Sequence, residues 1–250
     1  MDLDGRGQPA WDMNRHSFVH IVCSPRPRVG KTLAARLLID YFLSRRRAVV
    51  AFDTNPNEPI LEELFPDEVT VADIRAMQGQ VALFDGLLVA DDAPKVVDLW
   101  HRVYDRFFTI AHEIGFFEEA RHRAIEPLVF FIDDPDPISV EAHRQLRKRF
   151  QSLKIVSVRG AAAGGGATAR PPVRLLPAGS ESQLVIPPLD PILRRAIEAR
   201  GFSLATVLKN PPADLSIVVG SGVRAWTTKV FAQLQNFELR QSLSDAEYLR

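Results

Sequence analysis

Lys31 and Thr32 close the segment Cys23-Ser-Pro-Arg-Pro-Arg-Val-Gly-Lys-Thr32, which follows a short apolar run and opens a stretch of helical periodicity. A strand that enters a tight loop and leaves it as a helix aims backbone N–H groups and the positive end of a helix dipole at one point, which suits a phosphate. Lys31 adds a flexible cation for β- and γ-phosphate oxygens, and Thr32 adds a hydroxyl for Mg²⁺. Arg26, Arg28, Val29, Gly30 and Leu33 complete the candidate phosphate-binding set around them. Against the pattern G-x-x-x-x-G-K-[ST], Pro25 stands where the first glycine belongs, and Pro27 removes one backbone donor from the loop. The plainer alternative is that Val-Gly-Lys-Thr merely starts a helix. The strand before it, the helix after it and its place near the chain start favour the phosphate reading.

Two further groups of residues carry chemistry. Ala51-Phe-Asp-Thr-Asn-Pro56 ends an apolar run with Asp53 and Asn55, although Asp-Thr-Asn-Pro is also an ordinary turn. Lys95-Val-Val-Asp98 is an apolar run ending in a carboxylate suited to holding Mg²⁺ through water, so Thr32 and Asp98 form the expected metal pair. Asp85, after Val81 to Phe84, is the rival carboxylate. Asp98 is preferred because Gly86-Leu-Leu continues the rival run like a helix.

The elements that would position these residues alternate in type. Strands are expected at Phe18–Cys23, Arg47–Phe52, Lys95–Leu99, Leu128–Ile132, Leu153–Val158 and Leu184–Ile186. Helices are expected at Gly30–Ser44, around Leu61–Phe65 and Val71–Met77, along His101–Ala124, and at Ser139–Phe150, Pro191–Arg200 and Val223–Leu239. Alternation of this kind gives an α/β fold: a doubly wound, mostly parallel sheet covered on both faces, three layers deep. Residues 1–16 read as a loose leader and residues 17–250 as a single domain, with a low-complexity loop at 160–172.

Composition sets outer limits. With 250 residues and a hydrophobic share of 46%, the chain can bury a large core. Basic and acidic residues balance at 31 each, so net charge supports neither a DNA nor a membrane surface as partner. No uninterrupted apolar run approaches membrane-spanning length and the N-terminus lacks a secretory signal, so a cytoplasmic location is the default. The lone Cys23 cannot form an intramolecular disulfide and reads as packing at the end of a strand.

Order and spacing together resemble the MinD/ParA branch (SIMIBI class) of P-loop ATPases, whose deviant loop runs K-G-G-x-G-K-[ST]. On that pattern Arg26 takes the place of the signature lysine, Pro27 and Arg28 replace the two glycines, and Val29-Gly30-Lys31-Thr32 match. In that branch the signature lysine reaches the partner's nucleotide across an ATP-sandwiched dimer, a role Arg26 would fill with a planar donor set; the alternative makes Arg26 and Arg28 solvated loop charges. Asp53 aligns with the first aspartate of the D-x-D-P segment, and Asn55 falls where the water-orienting aspartate is expected. An amide accepts no proton as a carboxylate does, so weak or absent hydrolysis is expected. The resemblance runs from about His16 to Val158 and implies ATP, Mg²⁺, a nucleotide-dependent homodimer and an unidentified protein partner. Arg159 stands after the strand where this branch often reads adenine, without the usual asparagine. Two other functions remain open: a partner-binding module that kept the fold and lost the nucleotide, and a small-molecule kinase with Gly160 to Arg170 as its lid.

Remaining features have structural explanations. His112-Glu113 begins like H-E-x-x-H, but Phe116 occupies the second histidine's place. Asp133-Asp-Pro-Asp136 reads as a solvated loop before a helix whose first turn welcomes acids. Arg45-Arg-Arg47 and Arg144 to Arg149 sit near helix ends that favour cations. Trp226, Val230, Phe231, Leu234 and Phe237 form an apolar stripe at near-helical spacing and are assigned to the core.

Overall fold

Seven parallel strands form one sheet in the order β3-β2-β4-β1-β5-β6-β7. They are β1 (Ser17–Cys23), β2 (Val50–Asp53), β3 (Val69–Val71), β4 (Lys95–Asp98), β5 (Ile125–Ile132), β6 (Lys154–Arg159) and β7 (Gln183–Val185). The computed structural model describes residues 17–160, 183–198, 201–209 and 215–248, with side chains in the last helix described as far as 241. The expected leader and nearly all of the low-complexity loop lie outside these residues. The expected α/β class with a parallel sheet is observed.

Strand residues alternate between two apolar faces, as the period of two requires. Val22, Leu128, Phe130 and Ile132 join one core with α1 (Lys31–Ser44), α2 (Ile60–Leu64), α7 (Pro191–Glu198), α8 (Leu204–Lys209) and α9 (Ile217–Tyr248). Ile21, Cys23, Val129 and Phe131 join the other with α3 (Met77–Leu87), α4 (Tyr104–Glu113), α5 (Phe116–His122) and α6 (Pro137–Arg149). Trp226, Val230, Phe231, Leu234 and Phe237 are buried in the first core, so the C-terminal stripe packs on the sheet. Among the described residues no helix is long and apolar enough to cross a membrane.

The structure corrects four expected elements. Val71–Met77 is not a helix: β-branched Val69, Thr70 and Val71 pair with β2 as an edge strand, and the helix begins at Met77. It can begin there because residue 79 is glycine. A Cβ at that position would lie 2.1 Å from the Asp73 carbonyl oxygen. The long helix expected over His101–Ala124 breaks at Gly115, whose φ of 65° is left-handed, and this turn lets Phe116 and Phe117 both face the core. β2 starts at Val50, later than Arg47, because the Arg47 amide still bonds to the Phe42 carbonyl at the end of α1. The short α8 was not anticipated, and α9 extends beyond both expected ends.

Two buried polar arrangements hold the first face together. Asp40 on α1 is fully buried; its carboxylate accepts bonds from the Ser203 hydroxyl at 2.5 Å and the Ala205 amide at 3.1 Å. Arg36, one turn earlier, donates to the carbonyls of Ile197 (3.1 Å) and Phe202 (2.6 Å). These bonds fasten α7 and α8 to α1. Replacing Asp40 by Ala strands the Arg36 cation in the interior, with an expected cost of about 3–5 kcal/mol in urea unfolding.

His20 sits among Phe18, Phe42 and Phe130, with its Nδ1 3.1 Å from the Lys95 carbonyl oxygen. Burial lowers its pKa to about 4. The unfolded chain therefore binds this proton near pH 6.5 while the native one refuses it, and stability is lost as pH falls from about 6.5 to 4. Up to about 3 kcal/mol is at stake at 1.36 kcal/mol per unit. His20→Phe should flatten that portion of a stability-versus-pH curve, measured as the difference between the two proteins.

Candidate functional site

The loop after β1 is shaped by its own side chains. Ser24 is buried, and its hydroxyl accepts the Arg26 amide at 3.2 Å. Arg28 and Gly30 both take positive φ, 58° and 98°. Gly30 opens α1 in the left-handed region, and no side chain caps the helix. The first backbone bond of the helix runs from the Ala34 amide to the Gly30 carbonyl at 3.0 Å, so the amides before Ala34 keep their donors for something else.

Lys31 is buried, and its amine donates to the Arg26 carbonyl at the start of the same loop. Burial lowers its pKa, and the charge of Asp98 works against that shift. The Thr32 hydroxyl donates to Asp98 Oδ2 at 2.6 Å. The Thr32 bond brings the first turn of α1 onto the end of β4, while the Lys31 bond closes the loop on itself.

The carboxylates meet because the strands are in register. Asp98 on β4 lies opposite Asp53 on β2 and Val22 on β1. Burial raises the Asp98 pKa, opposed by the Thr32 hydrogen bond and the Lys31 charge. Asp53 is pushed up to about 7, first by burial and then by the nearby Asp98. Both Asp53 oxygens are engaged, accepting the Asn55 amide at 2.9 Å and the Leu61 amide at 3.2 Å. Thr54 ties the two strand ends together: its hydroxyl donates to the Asp98 carbonyl at 3.0 Å and accepts the Trp100 amide at 2.8 Å.

A cleft of about 1100 Å³ opens over these groups. Of the residues singled out in the sequence, Arg28, Gly30, Lys31, Thr32, Leu33, Asp53, Asn55 and Asp98 line it. Val29 turns into the first core instead, so only its backbone faces the loop. Asp85 is exposed on α3 and takes no part, which leaves Asp98 as the carboxylate beside Thr32.

Arg26 does not line the cleft. Its guanidinium bonds to Asp134 at 2.6 Å and lies 3.4 Å from Asp136, in the loop after β5. Asp134 also accepts the Asp136 amide at 3.1 Å, and Asp136 caps α6 through the Ile138 amide at 2.9 Å. This corrects two expectations: Arg26 is not a solvated loop charge, and the acidic segment is not merely a solvated approach to a helix. Arg159 is likewise committed, to Asp133 at 2.7 Å.

Sequence reasoning missed Trp100, His101, Arg102 and Arg194 in the cleft wall. The first three come just after Asp98 and Leu99, so their position beyond a strand ending in a site carboxylate was a usable signal. Arg194 comes from α7, and no local pattern links it to the loop. Among the described residues no group of three or more His, Cys, Asp and Glu side chains is arranged to hold a metal ion. Mg²⁺ bound through one or two protein oxygens and water needs no such group.

No family model matches this chain. No curated protein matches it either. Among solved structures it is similar to the MinC:MinD cell division protein complex of Aquifex aeolicus, at 15% identity and a TM-score of 0.39. That alignment covers 86% of this chain and 96% of the other. A likeness of that degree carries nothing about ligand or chemistry.

The Arg26–Asp134 contact should be measurable as a coupling. In a double-mutant cycle of Arg26→Ala and Asp134→Ala, the interaction term is expected near 1 kcal/mol, since the arginine is partly open to water. Additive losses would mean that the two side chains do not support each other.

Proposed function

We propose that the cleft binds a nucleoside triphosphate with Mg²⁺, ATP being the expected nucleotide, and that the chain acts as a MinD/ParA-like nucleotide switch. The observation that carries this reading is the 2.6 Å bond between Thr32 and Asp98 at an uncapped helix start beside a buried lysine. The donor set fits the group. Amides at the start of α1 and the Lys31 amine present positive charge to phosphate, while Thr32 and Asp98 present oxygen to the metal. Bound Mg²⁺ would neutralise charge on the phosphate oxygens.

The chain's own residues take distinct parts. Lys31 now donates to a neutral carbonyl of its loop, and exchanging that acceptor for an anionic oxygen gives a stronger, charge-assisted bond. Asp98 orients Thr32. Asp53, with both oxygens spent on backbone amides, holds the turn that carries Asn55 in the cleft wall. Asn55 supplies an amide where a proton acceptor would be wanted, so turnover is slow or absent. The working state is a nucleotide-held homodimer that recruits a protein partner.

A second reading, a partner-binding module without nucleotide, has one observation in its favour. Pro25 and Pro27 have no N–H, and the Arg26 amide is taken by Ser24, so three consecutive loop positions offer no free donor. Thermal unfolding separates the two. Mg²⁺ with ATP at a hundredfold excess over Kd should add about 2.7 kcal/mol to the wild-type protein. Lys31→Ala should show no shift on adding nucleotide. Identical nucleotide responses of the two proteins would leave the second reading standing.

A further inference from the structure

The loop carries two arginines, and the fold treats them in opposite ways. Arg26 faces away from the cleft and is neutralised by Asp134 and Asp136. Arg28 is exposed and lines the cleft with Lys31 and Thr32, and its side chain has no ion pair or hydrogen bond among the described residues. Its backbone is also unusual. At φ 58° a residue with a Cβ is held in the left-handed region, where glycine or asparagine would sit with less strain.

A strained conformation persists when the surroundings fix it, and it gathers at binding sites. The surroundings here are evident. Pro27 restricts the residue before it and sets its own φ, Val29 is anchored in the core, and Gly30 turns into the helix. Between these fixed points Arg28 is lifted into the cleft wall. Asp53 and Asp98 line the same cleft, so it brings the cations Arg28 and Lys31 together with carboxylates suited to a metal.

We propose that Arg28, and not Arg26, is the arginine this loop offers to the polyphosphate, as a binding determinant added to Lys31 and the helix start. The inference rests on the nucleotide reading above. It assigns Arg26 a positioning role, as the brace that holds the loop against the segment after β5. The positive charge of Arg28 at the cleft wall makes up for the amides withdrawn by the two prolines.

Strain and charge can be separated by substitution. Arg28→Gly removes the charge and relieves the backbone; Arg28→Lys keeps the charge and the strain. Calorimetric titration of the full chain with Mg²⁺·ATP should show at least a tenfold weaker Kd for Arg28→Gly and a change of no more than about threefold for Arg28→Lys. The melting temperature of nucleotide-free Arg28→Gly should equal or exceed that of wild type. Wild-type affinity in Arg28→Gly, with binding lost in Lys31→Ala, would overturn this inference and leave the nucleotide reading intact. Absence of binding by the wild-type protein would overturn both.

Discussion

Parallel register at the carboxyl edge of the sheet is the constraint on which the site depends. β4 is inserted between β1 and β2, so Asp98 comes level with Asp53 on one side and with the end of β1 on the other. Because α1 starts directly beyond β1, its first turn must pass over that carboxylate. The Thr32–Asp98 bond follows from this placement. A strand slipped by one residue would turn Asp98 toward the opposite face and leave Thr32 without its acceptor.

That arrangement is electrostatically costly by itself. Two carboxylates lie near each other in the interior, and burial shifts both toward their protonated forms. The same environment shifts Lys31 toward its neutral form. Asp53 and Asp98 accept hydrogen bonds from amides and a hydroxyl, Lys31 donates to a carbonyl, and none has a close salt bridge among the described residues. A site of this kind favours an incoming ligand that brings both an anion and a cation, because each would stabilise a charge that burial now suppresses.

The strands were the most legible part of the sequence. β1, β4, β5 and β6 are buried apolar runs, and their order relative to the helices fixed the class of fold. β3 was hidden because three residues at a sheet edge carry too little periodicity to be told from a helix start. The break at Gly115 was hidden because apolar spacing continues across it through Phe116 and Phe117, and only the left-handed turn reveals it. In the site, Lys31, Thr32 and Asp98 were legible from local motif and strand context. The partners of Arg26 and Arg159 were not, since each lies in the segment after β5, and pairing across separate crossovers leaves no mark on spacing.

Helix α1 spans 14 residues, about 21 Å at 1.5 Å per residue. One end faces the cleft at Gly30; just beyond the other, Arg47 bonds to Glu238 of α9, and Tyr41 donates to the same glutamate at 2.7 Å. Midway, Arg36 and Asp40 grip α7 and α8. The helix is thus a stiff shaft, journalled at its centre and pinned at its far end. The loop at one end and the C-terminal helix at the other are thereby joined through a single continuous element.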